Sequence, residues 1–450
     1  MPSLPTVPAL PLPSAQARQW AVKADLLDFT AQPQDSAPQD SAVRYRPAHW
    51  LLVDGTRIAA VQANAPGDDW WRVDASGHLL LPGFIDAHVH GAQLDVIGAW
   101  GSSLLDWLTT HTFPAEARFA SLAHARAHSA LFLDSLLAVG TTAAVVYPSV
   151  HAHSVDALFE AAQARGMRMV SGKVMMDRHV PAAVRDTVAS AERECRALIE
   201  RWHGQGRAAY AVTPRFAPTS SEAQLALAGQ LLRSAPGLYL QTHLAETQAE
   251  LAWVKELFPQ DRSYLWVYER HGLLGERSVL GHGIWLDEVD RRLLHDRGAQ
   301  LVHCPSSNLF LGSGLFDWRA LRAAGVAFSV ASDVGGGTQL CLRRNLLEAY
   351  KIQMLLGHKL SAWALLHSAT RGAAQALQLA HEMGGLEPGQ CADFNLWAWG
   401  SSPLAQQRQS VAQNLHERMF AWLTMAEGSD RLATFVAGRA LAPVGVVAGA

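Results

Sequence analysis

Cysteine is scarce in this chain: four residues in 450, Cys195, Cys304, Cys341 and Cys391, with no CxxC pair among them. So few, unevenly spaced thiols exclude a disulfide framework and favour a reducing, cytoplasmic compartment. Charge is sparse as well, at 17% Asp, Glu, Lys and Arg, against roughly 25% in an average globular chain. Neither sign dominates, with 37 basic and 40 acidic residues and a net charge of −3. That balance excludes the electrostatic footprint of a nucleic-acid or anionic-lipid binder. Long hydrophobic runs are missing too, so no membrane partner is expected. The first fourteen residues are apolar, but they are proline-rich and precede the first basic residue, Arg18. Both features argue against a signal peptide and a membrane anchor.

What is present is apolar residue, 49% of the chain, enough to bury a large core and to exclude a disordered tail. The length fits two or three domains, or one (β/α)₈ barrel with additions. Residues 1–18 are expected to form an N-terminal arm, and the duplication PQDSA-PQDSA at Pro33 to Ala42 a turn-rich loop. Lys23 to Thr30 and Trp50 to Gln62, the latter with an Asp54-Gly55 turn, have β character. Cys391 to Trp397 and Arg431 to Ala442 match them at the other end. Both chain ends, 19–80 and 385–450, are therefore expected to pair into one small β domain flanking a central unit, 81–384.

The centre alternates apolar strand-like runs with longer helical patterns, the mark of a parallel sheet covered by helices. Eight strand candidates occur: 78–90, 141–150, 168–177, 208–216, 239–246, 278–286, 300–308 and 327–335. Helical spacing marks 116–139, 155–165, 187–202, 221–234 and 315–324 between them. Eight strands can close a barrel, and the placement of the polar residues favours that over an open doubly wound sheet.

His88 and His90 stand at i and i+2 at the end of the first run. Strand side chains alternate faces, so both imidazoles point the same way and suit one metal. His243 ends the fifth run, His282 lies in the sixth and Asp333 closes the eighth. Because a barrel gathers the C-terminal ends of its strands on one face, these distant residues can meet. Three histidines and a carboxylate suit a borderline divalent cation such as Zn²⁺. Glu246, three residues past His243, is either a proton carrier beside that metal or a solvated residue at a helix start. Val334-Gly335-Gly336-Gly337 allows close backbone approach, and without a following Lys-Ser or Lys-Thr it is a poor phosphate cradle.

Taken together, PGFIDAHVH (82–90), His243-Leu-Ala-Glu246, Gly281-His282-Gly283, His303-Cys304-Pro305-Ser306-Ser307-Asn308 and Ser332-Asp333 resemble the aminohydrolase branch of the amidohydrolase superfamily. WLTTHTFPAE (107–116), Thr213-Pro214-Arg215-Phe216 and Asp333 to Gly337 are similar to the guanine deaminases within it. The resemblance runs from about residue 22 onwards. It implies an α/β fold, a distorted (β/α)₈ TIM barrel with a small flanking β-sandwich, usually as a homodimer. It implies one Zn²⁺ per chain on His88, His90, His243 and Asp333, a set that also accepts Fe²⁺ or Mn²⁺. His282 would stand beside the activated water, Glu246 would shuttle protons and Asp333 would take the water's proton. Gln93, Arg215, Phe216 and Glu246 would bind guanine, which water converts to xanthine and ammonia by attack at C2. An oxidised purine, a pterin or a triazine is the alternative substrate, and only Gln93, Arg215 and Phe216 discriminate between them. Ala92, where many relatives have Ser, His179, where bacterial ones usually have Asn, and the N-terminal arm depart from the family pattern.

Overall fold

The computed structural model describes residues 13, 17–101 and 103–441; most of the arm expected at 1–18 lies outside them. Four strands come first: β1 (Gln19–Phe29), β2 (Val43–Asp54), β3 (Arg57–Gln62) and β4 (Trp71–Pro82). Asp54 and Gly55 make the expected turn, Gly55 at φ +60°, a conformation that costs glycine nothing. Eight parallel strands then build the centre: β5 (Phe84–His90), β6 (Thr141–Tyr147), β7 (Arg168–Ser171), β9 (Ala208–Pro214), β10 (Tyr239–Leu244), β11 (Ser278–His282), β12 (Gln300–His303) and β13 (Phe328–Val330). The two-residue β8 (Val174–Met175) pairs beside β9. Strands β14 (Phe394–Trp397), β15 (Arg431–Val436) and β16 (Arg439–Leu441) end the described chain.

The central strands read as continuous apolar runs because both of their faces are covered. Ala143, Val145, Ala209, Ala211, Val279 and Val302 form one inner cluster. Their neighbours Ala144, Val146, Tyr210, Val212, Leu280 and Leu301 belong to a second cluster, shared with the surrounding helices. Helices Leu122–Ala138, Ala152–Arg165, Val188–Trp202, Glu222–Leu232, Gln248–Leu257 and Glu288–Arg297 return the chain between strands. Thr187 and Ser190 cap Val188–Trp202 reciprocally, and left-handed glycines, Gly166 and Gly298, stop two others. The sheet path runs from β5 to β13. The last gap is bridged by Asp333 N–H to His88 O at 2.9 Å and His90 N–H to Val334 O at 2.7 Å. Closure of the barrel and assembly of its His and Asp cluster are thus the same event.

The chain ends form one seven-stranded, mostly antiparallel sheet in the order β16-β15-β14-β4-β1-β2-β3, with β1 and β4 parallel. Three strand spacings, about 14 Å when flat, separate β1 from β15. The Trp20 and Phe435 rings nevertheless stack with centroids 5.0 Å apart. The sheet therefore curls over its own core, and register shifts in the β1–β2, β2–β3 and β14–β15 pairings supply the bend. This curled sheet is the small flanking β unit expected from the two chain ends. The stretch 385–450, assigned from the sequence to this β unit, is not all strand in its described part. It includes helices Pro403–Ser410 and Leu415–Met425, and Met419, Trp422 and Leu423 of the second are buried in the barrel's outer cluster. The duplicated loop packs down as well: Trp363 Nε1 donates to Pro38 O and Asp35 pairs with His358. All four cysteines are free thiols. Among the described residues, no helix is long and apolar enough to cross a membrane.

Candidate functional site

The C-terminal ends of β5, β10 and β11 and the loop after β13 converge on one point, as a barrel requires. One nitrogen or oxygen each from His88, His90, His243 and Asp333 lie within 4.8 Å of one another. His90 Nε2 is 3.2 Å from His243 Nε2, and Asp333 Oδ1 is 3.3 Å from Nε2 of both His88 and His90. Ligands at about 2.0–2.1 Å around a tetrahedral ion stand about 3.3 Å apart, so this spacing fits a divalent cation such as zinc. A buried ring nitrogen points the same way. Nε2 of His88 has no hydrogen-bond partner among the described residues, an unusual state for a buried polar atom unless an ion takes it.

Electrostatics prepare the imidazoles as neutral ligands. Burial, joined by the surrounding His88, His90 and His282 rings and by Arg215, holds His243 well below the usual histidine range. Burial likewise lowers His90 and pulls His282 down to about 3. Burial alone would raise Asp333, but the His88, His90 and His282 rings beside it hold its carboxyl well below the usual range. The neighbours of each ring fix which nitrogen is free. His243 Nδ1 donates to Arg215 O at 2.7 Å, which leaves Nε2 for the cluster. Tyr147 stacks on His90 with centroids 4.6 Å apart and fixes that ring's plane.

His282 is arranged differently. Its Nδ1 accepts from the Asn308 amide at 2.9 Å, so Nε2 carries the proton and directs it to Glu246 Oε2 at 3.3 Å and Asp333 Oδ2 at 3.8 Å. Glu246 Oε1 accepts from Ser313 Oγ at 2.7 Å. Burial, then the Asp333 and Glu250 carboxylates, push Glu246 well above the usual carboxylate range, which favours its protonated form. Ala245, His282 and Asp333 all have positive φ, at +47°, +69° and +48°. Non-glycine residues in that region cost about 1–3 kcal/mol each and cluster where function fixes a side chain's direction.

Gly281 precedes His282 because nothing larger fits: a Cβ there would lie 2.5 Å from His88 Cε1. Gly281→Ala is expected to push His88 aside and to destabilise the fold by roughly 1–3 kcal/mol. Metal content and urea unfolding of the variant check this; full occupancy with unchanged stability contradicts it.

Above the cluster lies a cleft of about 430 Å³, counted out to open solvent and lined by His90, Gln93, Arg215, Phe216, His243, Glu246, His282 and Asp333. Leu104, Trp107, Leu108 and Leu311 add apolar wall. All nine residues singled out from the sequence are thus gathered here: eight line the cleft and His88 lies directly beneath. Sequence reasoning assigned no role to Ser313, Asn308, Tyr147, Glu250 or Glu116. Glu250 Oε2 accepts the Glu246 N–H at 2.9 Å and so fixes the turn that presents Glu246. Glu116 accepts from Arg215 and from Gln93; a buried arginine on a strand end was the available signal that an acid must lie nearby. Ala92 is fully packed near Phe119. His179 bonds Pro218 O and lies against Trp253, which itself meets Phe216 edge-on.

A barrel with three histidines and an aspartate at its strand ends defines a metal-dependent hydrolase. The chain belongs to the amidohydrolase family, whose model matches residues 79–441. It is 40% identical over 424 residues to guanine deaminase of Escherichia coli (strain K12), covering 93% of this chain and 97% of that one. It is 45% identical over 335 residues to a probable guanine deaminase of Deinococcus radiodurans, covering 74% and 76%. The solved structure of the E. coli guanine deaminase superposes with a TM-score of 0.91 at 38% identity, over 95% of this chain and all of that one.

Proposed function

We propose that this enzyme hydrolyses guanine to xanthine and ammonia. The observation that carries the reading is that one cleft holds both the His and Asp cluster with Glu246 and, opposite them, Arg215, Gln93 and Phe216. His88, His90, His243 and Asp333 would hold the ion, and Zn²⁺ is the one we assign, one per chain, although Fe²⁺ and Mn²⁺ accept the same donors. Such an ion supplies a water acidic enough to act as a nucleophile at neutral pH. The chain does the rest. Asp333 and the His282 Nε2 proton would orient the attacking water towards C2, and the Asp333 carboxylate would accept its proton. Glu246, kept protonatable by burial, would give its proton to ring N3, take up the proton of the hydroxyl then on C2 and pass it to the amine as the C2–N bond breaks, after which the proton held by Asp333 returns to Glu246. Arg215 donates to O6 or N7, and Phe216 with Trp107 provides flat apolar walls that exclude bulk water from the ring. A homodimer is the assembly the family resemblance implies, and the four free thiols support a cytoplasmic location.

The test is ammonia and xanthine release from guanine, with adenine as the control. Adenine is expected to be poor, because its C6 amine presents a donor to Arg215. Arg215→Ala is expected to lower kcat/KM for guanine by about 10², the loss of a charged hydrogen bond, with metal content unchanged. Faster turnover of adenine or a triazine, or normal guanine kinetics in the variant, would sink the substrate assignment.

A further inference from the structure

Glu116 takes no part in the chemistry above, yet it is only 1% exposed. Arg215 Nη1 donates to both of its oxygens, at 2.7 and 2.8 Å, and Gln93 Nε2 donates to Oε1 at 2.8 Å. Gln93 in turn accepts the Gly335 N–H at 3.2 Å. One carboxylate therefore ties together the ends of β5 and β9 and, through Gln93, the loop that carries Asp333. Glu116 itself comes from the segment between β5 and helix Leu122–Ala138, the same segment that supplies Leu104, Trp107 and Leu108 to the cleft. Phe113 of that segment lies under the Arg215 guanidinium, 5.5 Å from ring centroid to Cζ.

A buried guanidinium needs a counter-charge somewhere within reach. A counter-charge alone has no reason to bind Gln93. Shared between the two side chains, the carboxylate fixes their orientation relative to each other, and it consumes donors on the far side so that the remaining ones face the cleft. We propose that Glu116 is a positioning residue: it aims Arg215 and Gln93 together at the 6-oxo edge of the purine, and so selects a ring with an acceptor at C6. The proposal rests on the reading of Arg215 and Gln93 as the base-recognising residues.

The experiment compares two competitive inhibitors that cannot be deaminated. Hypoxanthine keeps the 6-oxo group, and purine lacks it. In Glu116→Gln, which keeps the side chain's shape, Ki for hypoxanthine is expected to rise about tenfold or more, the factor for one charge-assisted hydrogen bond misaligned. Ki for purine should stay within about twofold, KM for guanine should rise with the hypoxanthine value, and kcat and metal content should change less. Glu116→Asp keeps the charge but withdraws it by one methylene, and the same selective loss is expected there, so the comparison survives misfolding of either variant. Equal weakening of both inhibitors, or no change in either, overturns the proposal. Wild-type protein that releases no ammonia from guanine overturns the functional reading instead, a result obtained before any variant is compared.

Discussion

His243→Ala is expected to lose the metal and to abolish ammonia release. The ring contributes Nε2 to the cluster and is locked by its Nδ1–H bond to Arg215 O. The Arg215 carbonyl belongs to the residue whose guanidinium reads the base; in the variant it loses the ring's bond and keeps those from the residue 243 N–H and Thr242 Oγ1. Removing one of four ligands leaves a set that holds a divalent ion far more weakly. Metal content should fall from one equivalent to near zero, and turnover should fall below detection. The melting temperature should drop as well, because an ion that binds only the folded chain stabilises it by mass action. Elemental analysis and turnover measured on the same preparation decide the matter. A fully loaded, active His243→Ala protein would refute the ligand assignment.

Glu246→Gln is expected to keep its metal and to lose about 10²- to 10⁴-fold in kcat, the range for a positioned acid–base group. The carboxamide can still accept from Ser313 Oγ through its oxygen, but its NH₂ then faces the His282 Nε2 proton, donor against donor. It also carries no proton to deliver to N3 or to the amine. A loss of metal in step with the loss of rate would make Glu246 a ligand or a support instead of a proton carrier.

The metal set was legible because its evidence is local. HxH on a strand puts two rings on one face, and His243 and Asp333 fall at the ends of apolar runs. Boundaries were harder. The run 300–308 reads as one strand, yet β12 stops at His303 and Pro305 opens a helix, where its missing N–H costs nothing. The run 327–335 shrinks to three strand residues, although the loop beyond β13 is as buried as a strand. Leu415–Met425 was missed although Leu415, Met419, Trp422 and Leu423 have helical spacing, since the flanking strands suggested one β unit. Glu116 stood inside a motif quoted for its resemblance, but its role depends on Arg215, 99 positions away, and no period in a sequence records such a pair.

The curled sheet has a consequence for how the molecule is made. Trp20 lies in the first strand and is completely buried, stacked on Phe435 and donating its Nε1–H to Gly438 O, 418 positions along the chain. On the ribosome, at roughly 5–20 residues per second, that indole waits tens of seconds for the partners that cover it. During this time β1 can pair with β2 and β4, but the edge of β4 that takes β14 and the apolar face that Phe435 covers stay open, so a chaperone has its clearest target in this early part of the sheet.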